Sequence, residues 1–395
     1  SPTMFDLLPL LIAYLAICTA LLTLYFLSDT KLLRNSPLKT YLIRSYKSTV
    51  RLCPIAIRRT IAELVTVLLY RRNTAFQCLL VGLLGLGYFI MLRDAIPILY
   101  HWDYHSNHVF LPLLLLFTCL CFYACTCLSD PGEITERTLY KYQPVYGHDG
   151  QLFRDDSCCR TCGFVRPARS RHCDTCDVCI HRYDHHCVWT NCCIGGLNLR
   201  YFLGFLVSLC CVCLNASWLA IESLGHVVSA HRMWEAVWLD AENRQQPMNL
   251  RVLVQHLFVT YPRLVLLAFG PVLVALPLIG YTCYHLYLAG TNQTGYERRK
   301  LANLLAERQR YCRLGGDVNA GAISATGFGR GWRQNWREVL LPHDRLGRDR
   351  VYGSSSSAAA SARRTSFSSS KRRNNVATDY APAGSTNSSG GMRDL

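Results

Sequence analysis

Long apolar runs separated by basic stretches set the pattern of this chain. Residues 7–27, 75–92, 109–128, 201–221 and 264–288 each approach the roughly twenty apolar residues that a helix needs to cross a hydrocarbon layer. The first run follows Asp6 rather than a basic region and shows no small-residue cleavage pattern after it, so it is read as an anchor and not a cleaved signal. Residues 61–70 are apolar but too short to span; with Arg58, Arg59, Arg71 and Arg72 around them they predict an interfacial helix. Gly82, Gly85 and Gly87 would allow close helix contact, and Pro271 and Pro277 predict a kink in the last run. The expected fold is an all-α polytopic membrane protein with five transmembrane helices. Its parts are an N-terminal anchor (1–28), a basic loop with the interfacial helix (29–74), a helix pair (75–128), a polar cysteine-rich domain (129–200), a second helix pair (201–288) enclosing loop 222–263, a C-terminal region (289–349) and a tail (350–395). The tail is rich in Ser, Ala and Gly and cannot bury enough apolar surface to fold.

Charge orients this arrangement. Of the 42 Lys and Arg, 37 lie in residues 29–75, 129–200 and 289–395 and five in 93–108 and 222–263. Basic loops stay on the cytosolic side, so the cysteine-rich domain and the tail are expected in the cytosol, loop 222–263 and the N-terminus in the lumen. A formal charge of +16 invites a nucleic-acid reading. The basic residues are neither clustered on a recognition motif nor interleaved with aromatics, and membrane topology explains them better; no nucleic-acid partner is expected. His285, near the end of the last run, is read as a snorkelling interfacial histidine.

Half of the residues are apolar, yet the stretch from Cys159 to Cys193 packs eight cysteines and four histidines into 35 residues, too few apolar groups for a core of its own. Thiolates and imidazoles in C-x2-C and H-C-x2-C spacings suit tetrahedral zinc, and such a region depends on its metal to fold. Two closed sites would use eight of the twelve groups, leaving four. His185 and Cys187 are read as two of these, and a cysteine beside a histidine and Asp184 matches a nucleophile, a base and an orienting group. A purely structural zinc module, in which Asp184 to Cys187 supply ligands, remains the other reading of the spacing.

The pattern Cys159-x2-Cys162-x9-His172-Cys173-x2-Cys176-x2-Cys179-x4-Asp184-His185-His186-Cys187-x5-Cys193-x4-Asn198 resembles the cysteine-rich domain of the DHHC protein S-acyltransferases, or palmitoyltransferases. Asp130-Pro131-Gly132, Thr294-Gly295-Tyr296-Glu297 and Phe328-x2-Gly331-x3-Asn335 carry the likeness over roughly residues 75–342, and Asp-His-His-Cys-Val-Trp makes it most similar to the animal type-4 members. The resemblance implies a four-helix core, to which this chain adds the N-terminal span. It implies one structural zinc on Cys159, Cys162, His172 and Cys179 and a second on Cys173, Cys176, His186 and Cys193. It further implies ping-pong transfer of a long acyl chain from acyl-CoA to Cys187, with His185 as base and Asp184 orienting it, and then to membrane-proximal cysteines of substrate proteins. Arg166, Arg169, Trp189, Arg298, Arg299 and Lys300 are the candidate contacts for acyl-CoA, the cations for its phosphates. Membrane lipid is the other expected partner, and the endoplasmic reticulum or Golgi the expected location, with the reaction on the cytosolic face. The sequence departs from the family pattern at Val188, Cys192 and Gly295. The last stands where the family has a threonine that helps position the aspartate, so either lower turnover or another group such as Thr294 taking that part is expected. A membrane-anchored zinc scaffold and an inactive relative are the rival readings.

Overall fold

The computed structural model describes residues 54–102, 107–239, 243–313 and 328–342. The N-terminal anchor, most of the basic loop before residue 54 and the Ser-rich tail lie outside these residues. Helix α1 (Ile55–Tyr70) covers the short apolar stretch and is followed by α2 (Ala75–Ile90). Asn73 serves both: its amide donates to the carbonyls of Val67 and Leu68 at 2.8 and 3.0 Å, and its Oδ1 accepts from the N–H of Ala75 at 3.1 Å. One asparagine thus satisfies orphan carbonyls of α1 and an orphan donor of α2.

Four helices among the described residues are long and apolar enough to cross a membrane, over Ala75–His101, His108–Leu128, Leu199–Ala230 and Pro262–Gly290. The first runs well beyond the expected end at residue 92. Helix α2 passes through a π-helical turn (Met91–Ala95) into α3 (Ile96–Trp102). Arg93 and Asp94 look like a boundary in the sequence, but Asp94 accepts two hydrogen bonds from Arg263, at 2.6 and 3.0 Å, and so stays in the helix. Helices α4 (Asn107–Leu128), α6 (Leu199–Ala230) and α8 (Pro262–Gly290) supply the other three spans, with the short α5 (Leu139–Tyr142) between α4 and α6 and α7 (Leu250–Thr260) before α8. Helix α8 continues through Pro271 and Pro277 as one helical element.

Helix α6 is central, with 56% of its most apolar window buried against 28%, 17% and 11% for the others. It packs on α4 and α8, and α4 comes close at Gly204, where a Cβ would come within 2.6 Å of the Phe122 ring. Gly82 and Gly85, the expected contact points on α2, have open space instead. Leu79, Leu83, Leu113, Leu266 and Leu276 lie exposed on the outer faces, as lipid-facing positions do.

The described chain is mostly helical, as expected, but the region between α4 and α6 carries short strands that the all-α expectation did not include. Strands β1 (Glu133–Ile134), β2 (Arg171–Cys173) and β3 (Val178–Ile180) form an antiparallel sheet in the order β1-β3-β2, and β4 (His185–Cys187) pairs with β5 (Cys192–Ile194). A third pair, β6 (Val237–Leu239) and β7 (Gln245–Pro247), lies between α6 and α7. The Asp130-Pro131-Gly132 turn locks the first sheet to the hairpin: Asp130 Oδ1 accepts from the N–H groups of Gly132 and Glu133, and a Cβ on Gly195 would strike the Pro131 carbonyl at 2.3 Å. After β5, Asn198 is fully buried and ties the N-terminus of α6 to the hairpin through the Cys193 carbonyl and the Gly195 N–H, both at 2.9 Å. Helices α9 (Gly295–Arg313) and α10 (Trp332–Leu340) complete the described chain.

Candidate functional site

Strand periodicity distributes the cysteines and histidines. Neighbouring residues on a strand point to opposite faces, and residues directly across an antiparallel pair share a face. His172 pairs with Cys179, while Cys173, one step along β2, faces the other way. One hairpin therefore serves two ligand sets. His172 and Cys179 join Cys159 and Cys162, and Cys173 and Cys176 join His186 and Cys193; within each set the ligand atoms lie within 4.8 Å of one another. The imidazoles present Nδ1, at 3.4 and 4.0 Å from the sulfurs of Cys162 and Cys179, and at 3.4 to 3.7 Å from those of Cys176, Cys173 and Cys193. Zn–S bonds of about 2.3 Å in a tetrahedron give edges of about 3.8 Å, so either set could hold a zinc ion with three sulfurs and one nitrogen. Gly163, at φ 77°, lets the chain turn behind Cys162, its N–H donating to the Cys159 carbonyl at 2.9 Å.

The same alternation sorts Asp184 to Cys187. On β4 His186 turns to the second ligand set and pairs with Cys193, so His185 and Cys187 fall on the opposite face. There Cys187 joins an apolar cluster with Cys192, Leu199, Phe202, Leu203, Leu206 and further side chains of α4, α6 and α8, including the half-buried Val212. Asp184, just before the strand, is 3% exposed and accepts from His185 Nδ1 through Oδ2 at 2.6 Å. Its Oδ1 accepts from the Gly295 N–H at 2.5 Å. Thr294, the expected substitute at this turn, is engaged elsewhere: its hydroxyl accepts from the Glu297 N–H and Glu297 Oε2 from the Thr294 N–H, at 3.2 and 2.9 Å, a capping box that starts α9. The main chain of Gly295 reaches the aspartate instead.

Electrostatics poise this group. Burial alone would raise the Asp184 carboxyl, but the His185 hydrogen bond and charge and the Gly295 N–H hold it down to about 2. Burial would lower His185, yet Asp184 and Cys187 raise it to about 9. Burial opposes ionisation of Cys187, and the imidazole of His185 beside it, with its charge, brings the thiol down to about 7. With Nδ1–H committed to Asp184, Nε2 of His185 is the nitrogen free to take a proton.

The expected acyl-CoA contacts separate. Arg166 and Lys300 line a cavity of about 250 Å³ with Arg154, Ser170 and Tyr296. Burial, and then the charges of Arg166, Arg171 and Arg154, push the Lys300 ammonium below its ordinary range, with Asp149 opposing. Arg298 and Arg299 lie outside that lining: Arg298 donates to Gln293 at 3.3 Å and Arg299 to the Asp184 carbonyl at 3.5 Å. Trp189 is 41% exposed, with its ring edge-on to Phe76 at 5.1 Å. Arg169 is a correction. It is fully buried, donates to both oxygens of Glu297 at 2.6 and 2.9 Å and to Asn292 at 3.0 and 2.9 Å, and lies over the rings of Tyr146 and Phe328, so it cannot meet a phosphate. Arg182 and Glu338 extend this network, Arg182 donating to Asn292 Oδ1 at 2.9 Å.

His285 corrects the snorkelling reading, being 4% exposed and turned inward with Nδ1 3.8 Å from Asp184 Oδ2. Its signal was an ionisable residue in an apolar run, which marks a functional site more often than chance. The Gly295 N–H and the Arg169–Glu297 pair left no such signal.

Residues 152–302 match the family model described as DHHC palmitoyltransferase. The chain is 34% identical over 286 residues to palmitoyltransferase ZDHHC4 of Rattus norvegicus, covering 72% of this chain and 81% of that one. It is 33% identical over 332 residues to palmitoyltransferase ZDHHC4 of Mus musculus, covering 84% and 94%. Palmitoyltransferase swf1 of Schizosaccharomyces pombe is 32% identical over 161 residues, covering 39% and 42%.

Proposed function

The chain belongs to the DHHC palmitoyltransferase family and is a protein S-acyltransferase of the multi-pass membrane type; on that premise we propose that it acts by ping-pong transfer through Cys187, with acyl-CoA as donor. The observation that carries this reading is the alternation on β4, which turns His186 to a ligand set and leaves His185 and Cys187 together over the apolar cluster.

His185 Nε2 takes the Cys187 proton, its Nδ1–H anchored on Asp184. The thiolate attacks the acyl-CoA carbonyl, the C–S bond to coenzyme A breaks, and His185 returns the proton to the departing thiolate. A substrate cysteine then gives its proton to His185 and attacks the acyl-Cys187 thioester, and Cys187 recovers the proton. Each step exchanges one thioester for another, so neither needs an outside energy source. The acyl chain would lie on the apolar cluster below Cys187, along α6 towards Val212. The cavity of Arg166 and Lys300 suits the phosphates, being short of anions. Zinc in the two ligand sets would hold the hairpins in register; with four protein ligands each, neither set leaves a position for substrate. The 37-to-5 split of basic residues supports a cytosolic site, and membrane-proximal cysteines as acceptors. Residence in the endoplasmic reticulum or Golgi is part of the same proposal.

Purified protein charged with labelled acyl-CoA and then freed of it should pass the label to a cysteine peptide anchored on added vesicles. Label that stays on the protein would overturn the second half-reaction.

A further inference from the structure

His285 approaches the Asp184 carboxylate from a different element than His185 does. It sits in the last turns of α8, five residues before the chain turns towards Gly295. Its ring is held edge-on by Tyr281, Phe202 and Tyr284, with centroids at 4.4, 5.5 and 5.6 Å, and lies 5.7 Å from the His185 ring. An imidazole buried among aromatic rings is costly unless its polar edge meets a partner. The edge it presents is Nδ1, 3.8 Å from Asp184 Oδ2. That is beyond hydrogen-bond range; with its proton on Nδ1, the neutral imidazole makes an electrostatic contact between an N–H dipole and the carboxylate.

The terminal torsion of an aspartate is broad and nearly two-fold, so its plane stays fixed only if both oxygens meet fixed donors. Oδ1 has one in the Gly295 main chain. Oδ2 meets His185, which must itself be oriented and therefore cannot serve as the reference. Among the described residues, the other group paired with Oδ2 is His285, pinned by three aromatic rings and a membrane-length helix.

We propose that His285 is a positioning residue for acyl transfer, its Nδ1–H facing Asp184 and holding the carboxylate plane that His185 needs to take the Cys187 proton. The inference rests on the roles given above to Asp184, His185 and Cys187. His285 itself touches neither the thiol nor the donor.

The test is single-turnover acylation of the detergent-purified protein by labelled acyl-CoA. His285→Phe keeps a ring of similar volume and its edge contacts but removes the donor. The acylation rate at saturation should fall severalfold, less than the roughly tenfold expected for one complete hydrogen bond. The concentration of acyl-CoA at half-saturation, the zinc content and the melting temperature should stay as in the parent. His285→Asn, which offers an amide N–H near the place of Nδ1, should recover most of the rate. A second rescue uses Gly295, where a Cβ would lie 3.4 and 3.5 Å from the two Asp184 oxygens. Gly295→Thr in the His285→Phe background should therefore restore a donor and raise the rate. Should His285→Phe not fold, His285→Leu and His285→Asn make the same comparison. A parental rate in His285→Phe overturns the proposal, as does a slow variant that neither Asn nor Gly295→Thr rescues, since that marks a packing role. A parent that forms no acyl-enzyme at all overturns the reading of Cys187 instead, and this one with it.

Discussion

His185 and Cys187 share a face only because they are two residues apart on a strand, with His186 between them turned to sulfur ligands. In a helix the same three residues would spread over about 200° and neither job would be done well. His185→Ala removes the proposed proton acceptor while leaving both ligand sets intact. Acyl-enzyme formation should slow by roughly 10²–10⁴, the usual worth of a general base, with zinc content unchanged by metal analysis. Loss of zinc would instead place His185 among the ligands. The spacing in the sequence could count twelve groups against eight ligand places but could not say which four were spare. That choice depends on a two-residue period in a strand of three residues, too short to leave a pattern of its own; only the resemblance to a family supplied it.

At the scale of elements, α9 is the part that brings the C-terminal region to the site. Its capping box sets Thr294 and Glu297, and the Glu297 carboxylate, buried to 2% exposure, is met by Arg169 from the cysteine-rich region. The turn that presents the Gly295 N–H to Asp184 is thus held from both sides. Arg169→Met should leave the Glu297 charge buried without its partner, at a cost of about 3–5 kcal/mol. The melting temperature in detergent should drop, and Glu297→Gln in the same chain should recover part of the loss. A drop equal in single and double variants would show that the pair is not coupled. Thr294-x-x-Glu297 reads in the sequence as a family motif and not as the capping box it forms, while the zinc ligand sets were legible as cysteine spacings. Arg169 was not. One arginine in a basic stretch looks like another, and what sets this one apart is a carboxylate 128 residues away.

For the whole molecule, the four spans were legible because twenty apolar residues say the same thing wherever they occur, while their ends were not. Residues 93–101 continue a helix because Asp94 finds Arg263 across 169 positions, and no local pattern reports that. The central place of α6 was likewise hidden, since an apolar run reads the same on a buried and a lipid-facing helix. That placement matters because α6 has Asn198 at its N-cap, a few residues after the hairpin that carries Cys187, so Cys187, the second ligand set and the apolar cluster are joined through one short segment. The most direct test of this account measures zinc per chain together with hydroxylamine-labile label from acyl-CoA in purified protein. The parent should hold two zinc ions, one for each ligand set, and take label on Cys187. Cys187→Ser should keep both ions and take none. Cys176→Ser should lose metal, since zinc in small domains is worth on the order of 10 kcal/mol of folding, and label with it. A Cys187→Ser protein that loses about one zinc would make Cys187 a ligand, and would contradict the account.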